Sequence, residues 1–479
     1  MKEKMRAVTA VLVVAVAALV VLGQRLGPIA LQTTAGLNAA DIAWVSISAG
    51  LVMLMTPALG FFYGGLVRQK NLVSTVVQCF TIFAVACVVW TLWGYTLAFA
   101  AGSGFVGGLK HLFLHGVDLA PDRAYATTIP ALSFYFFQMK FAAITPALIV
   151  GAIAERIRFR SVLVFIIVWA TVVYAPVAHW VWGEGGWLRN LGTLDFAGGI
   201  VVHLLAGVSA LAAALVVGRR RVASAEESSG PANVPFVILG AALLWFGWFG
   251  FNAGSALAMN GIAVNTLVTT NTAACFACVA WMLVDWYLIG KPTATGAAVG
   301  AICGLGAITP ASGFVNIYAA MVIGLVAGVV CNFVMVWMKR GPLDDTLDVF
   351  ACHGIGGCWG SLATGLFAEK LMNPAGNNGL FFGNPHQLLI QLIAVLAAAA
   401  WGFFMTVAVL KIIEKLMGLR VTAEEEEQGL DMTQHGEQAY AGLVWYVPSV
   451  VPSKEGEEQE GPKQQEMRYT YQKKGPPRR

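Results

Sequence analysis

The sequence predicts an all-α polytopic membrane protein: eleven transmembrane helices as two inverted five-helix repeats plus a final helix, preceded by a segment that reads as a signal peptide. Three observations carry this prediction. Charged residues make up 12% of the 479-residue chain and hydrophobic residues 58%, whereas a soluble domain carries about 25% charged residues. Apolar runs of roughly 20 residues, long enough to cross a bilayer as helices, recur along the chain. Basic residues fall in every second interval between these runs, as they do in cytoplasmic loops.

The elements follow in order. Residues 1–35 begin with Lys2, Lys4 and Arg6 before an apolar stretch, which suits a secretory signal peptide or an extra N-terminal span. Apolar runs then occupy 42–66, 72–100, 130–153, 161–181, 197–217, 235–252, 264–288, 294–309, 315–338, 349–367 and 387–412, giving a transmembrane domain over 42–413. Arg68 and Lys70, then Arg156, Arg158 and Arg160, then Arg219, Arg220 and Arg221, then Lys291, then Lys339 and Arg340, and finally Lys411, Lys415 and Arg420 lie in alternate intervals. This alternation puts the C-terminus in the cytoplasm, and an odd number of spans leaves the N-terminus outside once the first segment is cleaved. Residues 414–447 form a polar cytoplasmic region, and 448–479, rich in Pro, Glu, Gln and Lys, have the composition of a disordered tail.

A net charge of +4 comes mostly from these loops and the tail and gives no reason to expect a nucleic-acid partner. All eight cysteines lie within expected spans and read as small apolar residues. Cys275 and Cys278 spell CxxC without the polar setting that redox or zinc chemistry needs. Gly324 and Gly328 show the four-residue spacing of close helix packing.

The chemistry-bearing signal is a pair of histidines, His203 and His353, each alone inside an apolar run. Ionisable groups at membrane depth are costly and mark substrate paths. Asp195 precedes His203 by eight residues and Asp348 precedes His353 by five. The first pair enters its span from the outer side and the second from the inner side. Opposite entry with the site at the interface of the halves is the mark of an inverted repeat. Steps of eight and five residues turn each aspartate away from its own histidine, so both aspartates read as helix N-caps, with a direct electrostatic role for Asp195 as the alternative.

Four blocks carry a resemblance: FAAITPALIVGAIAERIRF from Phe141, DFAGGIVVH from Asp195, WFGFNAGSALAMN from Trp248 and DVFACHGIGG from Asp348. Together they make residues 43–440 look like the ammonium transporter family, the group of Amt, Rh and methylammonium permease proteins. The resemblance implies a transporter rather than an enzyme, without a cofactor. It also implies a homotrimer in the plasma (inner) membrane and protomers that each have their own pore. By the same resemblance His203 and His353 line the pore, Phe141 and Phe251 gate its outer mouth, and Phe137, Phe141, Trp182 and Ser255 bind the cation. Asp195 would serve deprotonation or the structure beneath that site. The polar region after the last span resembles the family's regulatory segment, which contacts a neighbouring protomer and can meet a PII-type signalling protein.

The chemistry of such a site can be argued from general terms. Aromatic faces attract a desolvated cation by about 2 kcal/mol, and a serine hydroxyl accepts one N–H. Carrying a bare ammonium through a low-dielectric pore costs on the order of tens of kcal/mol. If its pKa is near that of lysine, about 10.4, deprotonation at pH 7 costs roughly 4.6 kcal/mol. Neutral ammonia then meets imidazoles that both donate and accept, while potassium cannot shed its charge. The proton either stays outside or travels separately through the histidines, and the sequence accommodates both.

Lys140, next to Phe141, would repel a cation if it faced the outer site, so we expect it to turn away and snorkel outward. Asp285 reads as a buried structural partner. Two other functions fit paired histidines: haem ligation from two faces, which a visible spectrum tests, and an ammonium sensor with little flux that signals through a separate partner.

Overall fold

The computed structural model describes residues 36–221 and 230–440, with a few positions between 13 and 21. The expected signal peptide or extra span therefore falls largely outside the described residues, and the tail at 448–479 wholly so. The helices run α1 Ala39–Leu66, α2 Gln69–Phe99, α3 Ala131–Ile153, α4 Phe159–Leu191, α5 Gly199–Val217, α6 Val234–Ala256, α7 Gly261–Ile289, α8 Ala294–Ile308 and α9 Ile317–Lys339. Then follow α10, which is Phe350–Ile355 continued by Gly356–Phe367, α11 Pro385–Met417 and a short α12 Ala423–Gln428. Among the described residues, nine of these are long and apolar enough to cross a membrane; α8 is shorter, with 15 residues, and α10 is divided by a change of helix type. The described residues contain isolated bridges but no strand.

Local chemistry fixes where helices start and stop. Asn38, Asn233, Asn260, Thr293 and Asn316 cap α1, α6, α7, α8 and α9 through their side-chain oxygens, which satisfy N–H groups that have no partner inside the helix. Gly218, Gly290 and Gly418 end α5, α7 and α11 with φ of 80°, 76° and 74°, a region that favours glycine. π-type turns interrupt α2 at Trp90–Gly94 and α4 at Ala170–Tyr174, and they also open α5 and α10.

Burial separates inner from outer helices. The most apolar windows of α3 and α5 are 89% and 83% buried, against 33–61% for the other long helices. These two therefore form the centre, while the rest present apolar side chains outward. Backbones approach closely where glycine permits: a Cβ on Gly324 or Gly328 of α9 would lie 2.2 or 2.5 Å from the carbonyl oxygens of Ala273 and Ala277 on α7. All eight cysteines are free thiols, and Cys275 is exposed rather than buried as its apolar run suggested. Asp285 is buried as expected, accepting from Thr293 Oγ1 at 2.8 Å and Asn332 Nδ2 at 2.9 Å.

Candidate functional site

Asp195 sets the start of the central helix α5. Its Oδ1 accepts from the N–H groups of Gly198 and Gly199 at 2.9 and 2.6 Å, and its Oδ2 from those of Ile200 and Val201 at 2.9 and 3.2 Å. One buried carboxylate thus takes four otherwise unpaired donors at a helix N-terminus, where negative charge is also favoured by the dipole. Capping is the geometry found, as the spacing suggested.

On the opposite helix the expected cap is displaced. Asp348 sits at φ +58° and pairs with Lys339 Nζ at 2.9 Å. Asp345 caps α10 instead, accepting from Phe350 N–H at 2.7 Å and also from Val349. The correction restores symmetry, because Asp345 precedes His353 by eight residues, as Asp195 precedes His203. The segment DDTLD offers three aspartates, and matching the eight-residue step would have chosen the right one.

The two histidines meet between the caps. Their rings lie 5.2 Å apart at centroid and 15° from parallel, and both are almost fully buried. Trp248 stacks on His203 at 5.3 Å and is held by its Nε1 donating to Thr309 Oγ1 at 2.9 Å. Both ring nitrogens of His203 and Nδ1 of His353 have no protein partner. Unpartnered polar atoms in an apolar interior are costly, and a small polar molecule that both donates and accepts would offset that cost.

Above the histidines, Phe141 and Phe251 stack at 4.2 Å with 32° between planes, and Phe251 lies 5.9 Å from His203. Over this seam opens a cavity of about 440 Å³, lined among others by Gln138, Phe141, Trp182, Asp195 and Ser255. Trp182 stands edge-on to Phe141 at 6.1 Å and is fixed by its Nε1 donating to the Asp195 carbonyl at 2.8 Å. Ser255 Oγ donates to the Phe251 carbonyl at 2.9 Å, which leaves its oxygen free to accept. Phe137 does not line the cavity. It is buried behind Phe141, 5.0 Å away and edge-on. Gln138 is one of the lining residues that sequence reasoning missed, with Tyr125, Arg189, Thr193 and Asn373; one polar side chain in an aromatic run carried no distinguishing pattern.

Lys140 turns away from the cavity, as expected, but does not snorkel. It is only 3% exposed, with Nζ 3.8 Å from the Phe136 ring centroid and 5.4 Å from that of Phe83. Flanking rings at close range hold it by cation–π attraction.

At the end of the histidine pair away from the seam a cavity of about 240 Å³ is lined by Arg219, Arg220, Lys339, Asp344, Asp345 and Asp348, with other residues. Arg220 holds Asp344 at 2.9 Å and Glu155 at 3.2 Å. Burial, reinforced by the nearby charge of Asp348, pushes the Asp345 carboxyl up to about 7. The polar region after α11 folds against these loops. Leu419 accepts from Arg158 N–H, Glu426 from Arg221 N–H and Arg420, and Asp431 from the N–H groups of Val73 and Ser74.

The profile of the Ammonium Transporter Family matches residues 43–440. The chain belongs to this family. It is 49% identical over 401 residues to an ammonium transporter of Bacillus subtilis, covering 84% of this chain and 98% of that one. It is 47% identical to ammonium transporter Amt1 of Archaeoglobus fulgidus, over 84% of this chain and 99% of that one. Among solved structures, Mep2 of Saccharomyces cerevisiae is similar at a TM-score of 0.78 and 36% identity, covering 86% of this chain and 94% of that one. As a member of this family the chain is a multi-pass membrane protein, and its relatives are named as transporters.

Proposed function

We propose that this family member conducts ammonium from an outer aromatic site through a pore lined by His203 and His353. The observation that carries the reading is the buried imidazole pair beneath the Phe141 and Phe251 seam, with ring nitrogens that lack protein partners. In the outer cavity Trp182 and Phe141 offer ring faces to a cation and Ser255 offers an accepting oxygen, while Phe137 supports Phe141 from behind. Asp195 serves this site as the cap that holds α5 and the Trp182 anchor together. At the seam, shedding the proton for roughly 4.6 kcal/mol is far cheaper than carrying the charge through an apolar interior. Ammonia then exchanges hydrogen bonds with the imidazoles, and the proton remains outside or follows by a separate transfer. Methylammonium is a further substrate on this reading, and potassium is excluded.

The reading takes α8 and α10 as crossings, which makes eleven, with the C-terminus cytoplasmic and the mature N-terminus outside, in the plasma (inner) membrane. It includes a homotrimeric assembly and a PII-type signalling protein as the cytoplasmic partner. Reconstituted protein tests it: an ammonium gradient should produce a pH change or current that empty liposomes lack, with no potassium flux. His203→Ala or His353→Ala should remove most flux or selectivity in a protein that still folds. Wild-type behaviour in both variants would make the histidines structural. No flux in the wild type would favour an ammonium sensor.

A further inference from the structure

Each histidine is followed, four residues later, by a glycine: Gly207 after His203 and Gly357 after His353. A Cβ on Gly207 would lie 2.1 Å from Gly354 N, 2.2 Å from Gly354 Cα and 2.9 Å from the carbonyl carbon of His353. A Cβ on Gly357 would lie 2.6 Å from Leu204 N, 2.8 Å from the Gly199 carbonyl oxygen and 3.1 Å from the carbonyl carbon of His203. Each glycine therefore rests on the peptide that leaves the opposite histidine. The contact is reciprocal, residue for residue.

Small residues at helix crossings usually do no more than allow close packing, as Gly324 and Gly328 do against Ala273 and Ala277. The pair described here differs because both contacts fall on the backbone that carries the imidazoles. At this crossing the crowding falls on that backbone and not on the rings. At Gly306, which faces the rings themselves, an added Cβ would meet His353 Nδ1 at 3.7 Å and His203 Nδ1 at 3.9 Å, which is ordinary contact.

We propose that Gly207 and Gly357 are positioning residues of the imidazole pair: they let α5 and α10 cross at backbone contact, and that crossing sets the spacing and near-parallel attitude of the two rings. The inference rests on the reading of His203 and His353 as pore-lining. An imidazole hangs from its backbone by one methylene, so ring spacing follows the crossing. Moving a Gly207 Cβ from 2.1 Å to an ordinary contact of 3.4 Å requires about 1.3 Å of backbone displacement. A misplacement of about 1 Å can cost about a hundredfold in rate where geometry governs the step.

The test measures ammonium flux, methylammonium flux and potassium leak in proteoliposomes. They carry equal amounts of full-length wild type, Gly207→Ala, Gly357→Ala, Gly324→Ala or His203→Ala. The first two variants should lose ammonium flux by about tenfold or more and change the methylammonium-to-ammonium ratio or admit potassium. Gly324→Ala, whose Cβ is equally crowded at 2.2 Å from Ala273 O, should keep the wild-type ratio, because a general packing defect lowers both fluxes in proportion. An unchanged ratio and intact potassium exclusion in both Gly207→Ala and Gly357→Ala would overturn the proposal. So would the same change of ratio in Gly324→Ala. Failure to recover either of the first two variants as folded protein would also overturn it, since the glycines would then be requirements of folding. If His203→Ala itself keeps wild-type flux and selectivity, the pore reading has failed. If His203→Ala is altered and the two glycine variants are not, only the present inference fails.

Discussion

Replacing Asp195 by asparagine tests whether this carboxylate works by holding the helix or by binding the cation. The side chain keeps its size but exchanges one oxygen for an NH2 group. If the remaining oxygen keeps the N–H groups of Gly198 and Gly199, those of Ile200 and Val201 face a donor instead of an acceptor. Two hydrogen bonds to a charged group are lost, each worth about 1.5–3 kcal/mol, so the expected destabilisation is about 3–6 kcal/mol. That is a large share of the about 5–15 kcal/mol that separates a typical folded domain from its unfolded chain. The Trp182 indole, anchored on the Asp195 carbonyl, should loosen with it. Thermal unfolding of the purified protein, read beside flux in liposomes, checks this: Asp195→Asn should unfold at lower temperature and lose transport together. A variant with wild-type thermal stability and only a weakened ammonium affinity would refute the capping argument and make the carboxylate a direct ligand.

Two further outcomes are expected. Lys140→Gln should leave apparent ammonium affinity within about twofold at both low and high salt, although the Debye length reaches about 30 Å at 0.01 M, because Lys140 is not among the residues lining the outer cavity. Its loss should instead lower thermal stability by about 0.5–2 kcal/mol through the missing contact with Phe136, and a several-fold, salt-sensitive gain in affinity would contradict the observed orientation. Asp345 holds its proton in the folded protein up to about pH 7, against 3.8 for the free group. Its contribution is therefore complete below about pH 4 and is lost as pH rises through 7, by at most about 1.4 kcal/mol per unit. Thermal stability measured across that window should fall with pH in the wild type and flatten in Asp345→Asn; an unchanged slope in the variant would refute the assignment.

The membrane-crossing plan was legible because apolar run length and loop charge are direct physical requirements of a bilayer. The limits of that signal appear at α8 and α10. Their apolar runs were found, but the first folds as a helix of only 15 residues and the second changes helix type after Ile355, two residues beyond His353. Hydropathy does not encode a π-type turn. The histidines were named from their isolation inside apolar runs, and Trp182, Phe141, Phe251 and Ser255 from motif resemblance; the fold brings the histidines together beneath the Phe141 and Phe251 rings, with Trp182 and Ser255 lining the cavity beside them. Asp345 was missed because charge and proximity favoured Asp348 equally, and only the eight-residue step repeated between Asp195 and His203 distinguishes them. The burial of Phe137 behind Phe141 and the enclosure of Lys140 by Phe136 depend on rotation about a helix axis within one short run, where aromatic residues occupy most faces and periodicity is silent. The docking of Glu426 onto a backbone N–H of a distant loop, and of Asp431 onto those at the start of α2, is likewise a tertiary event with no local mark.

On the proposed reading, the Phe141 and Phe251 seam is a door with a single moving leaf. Phe251 is boxed in by Trp248 and His203. Phe141 has Phe137 at its back, and Phe137 is in turn jammed against Gly254, where even a methyl group would come within 2.9 Å of its ring. Retreat is closed to both rings, so the only free swing is that of Phe141 outward into the cavity it lines. A passenger waiting there occupies the space the leaf needs. Opening is then slowest when the antechamber is full, and throughput at high load is limited by how often the antechamber clears.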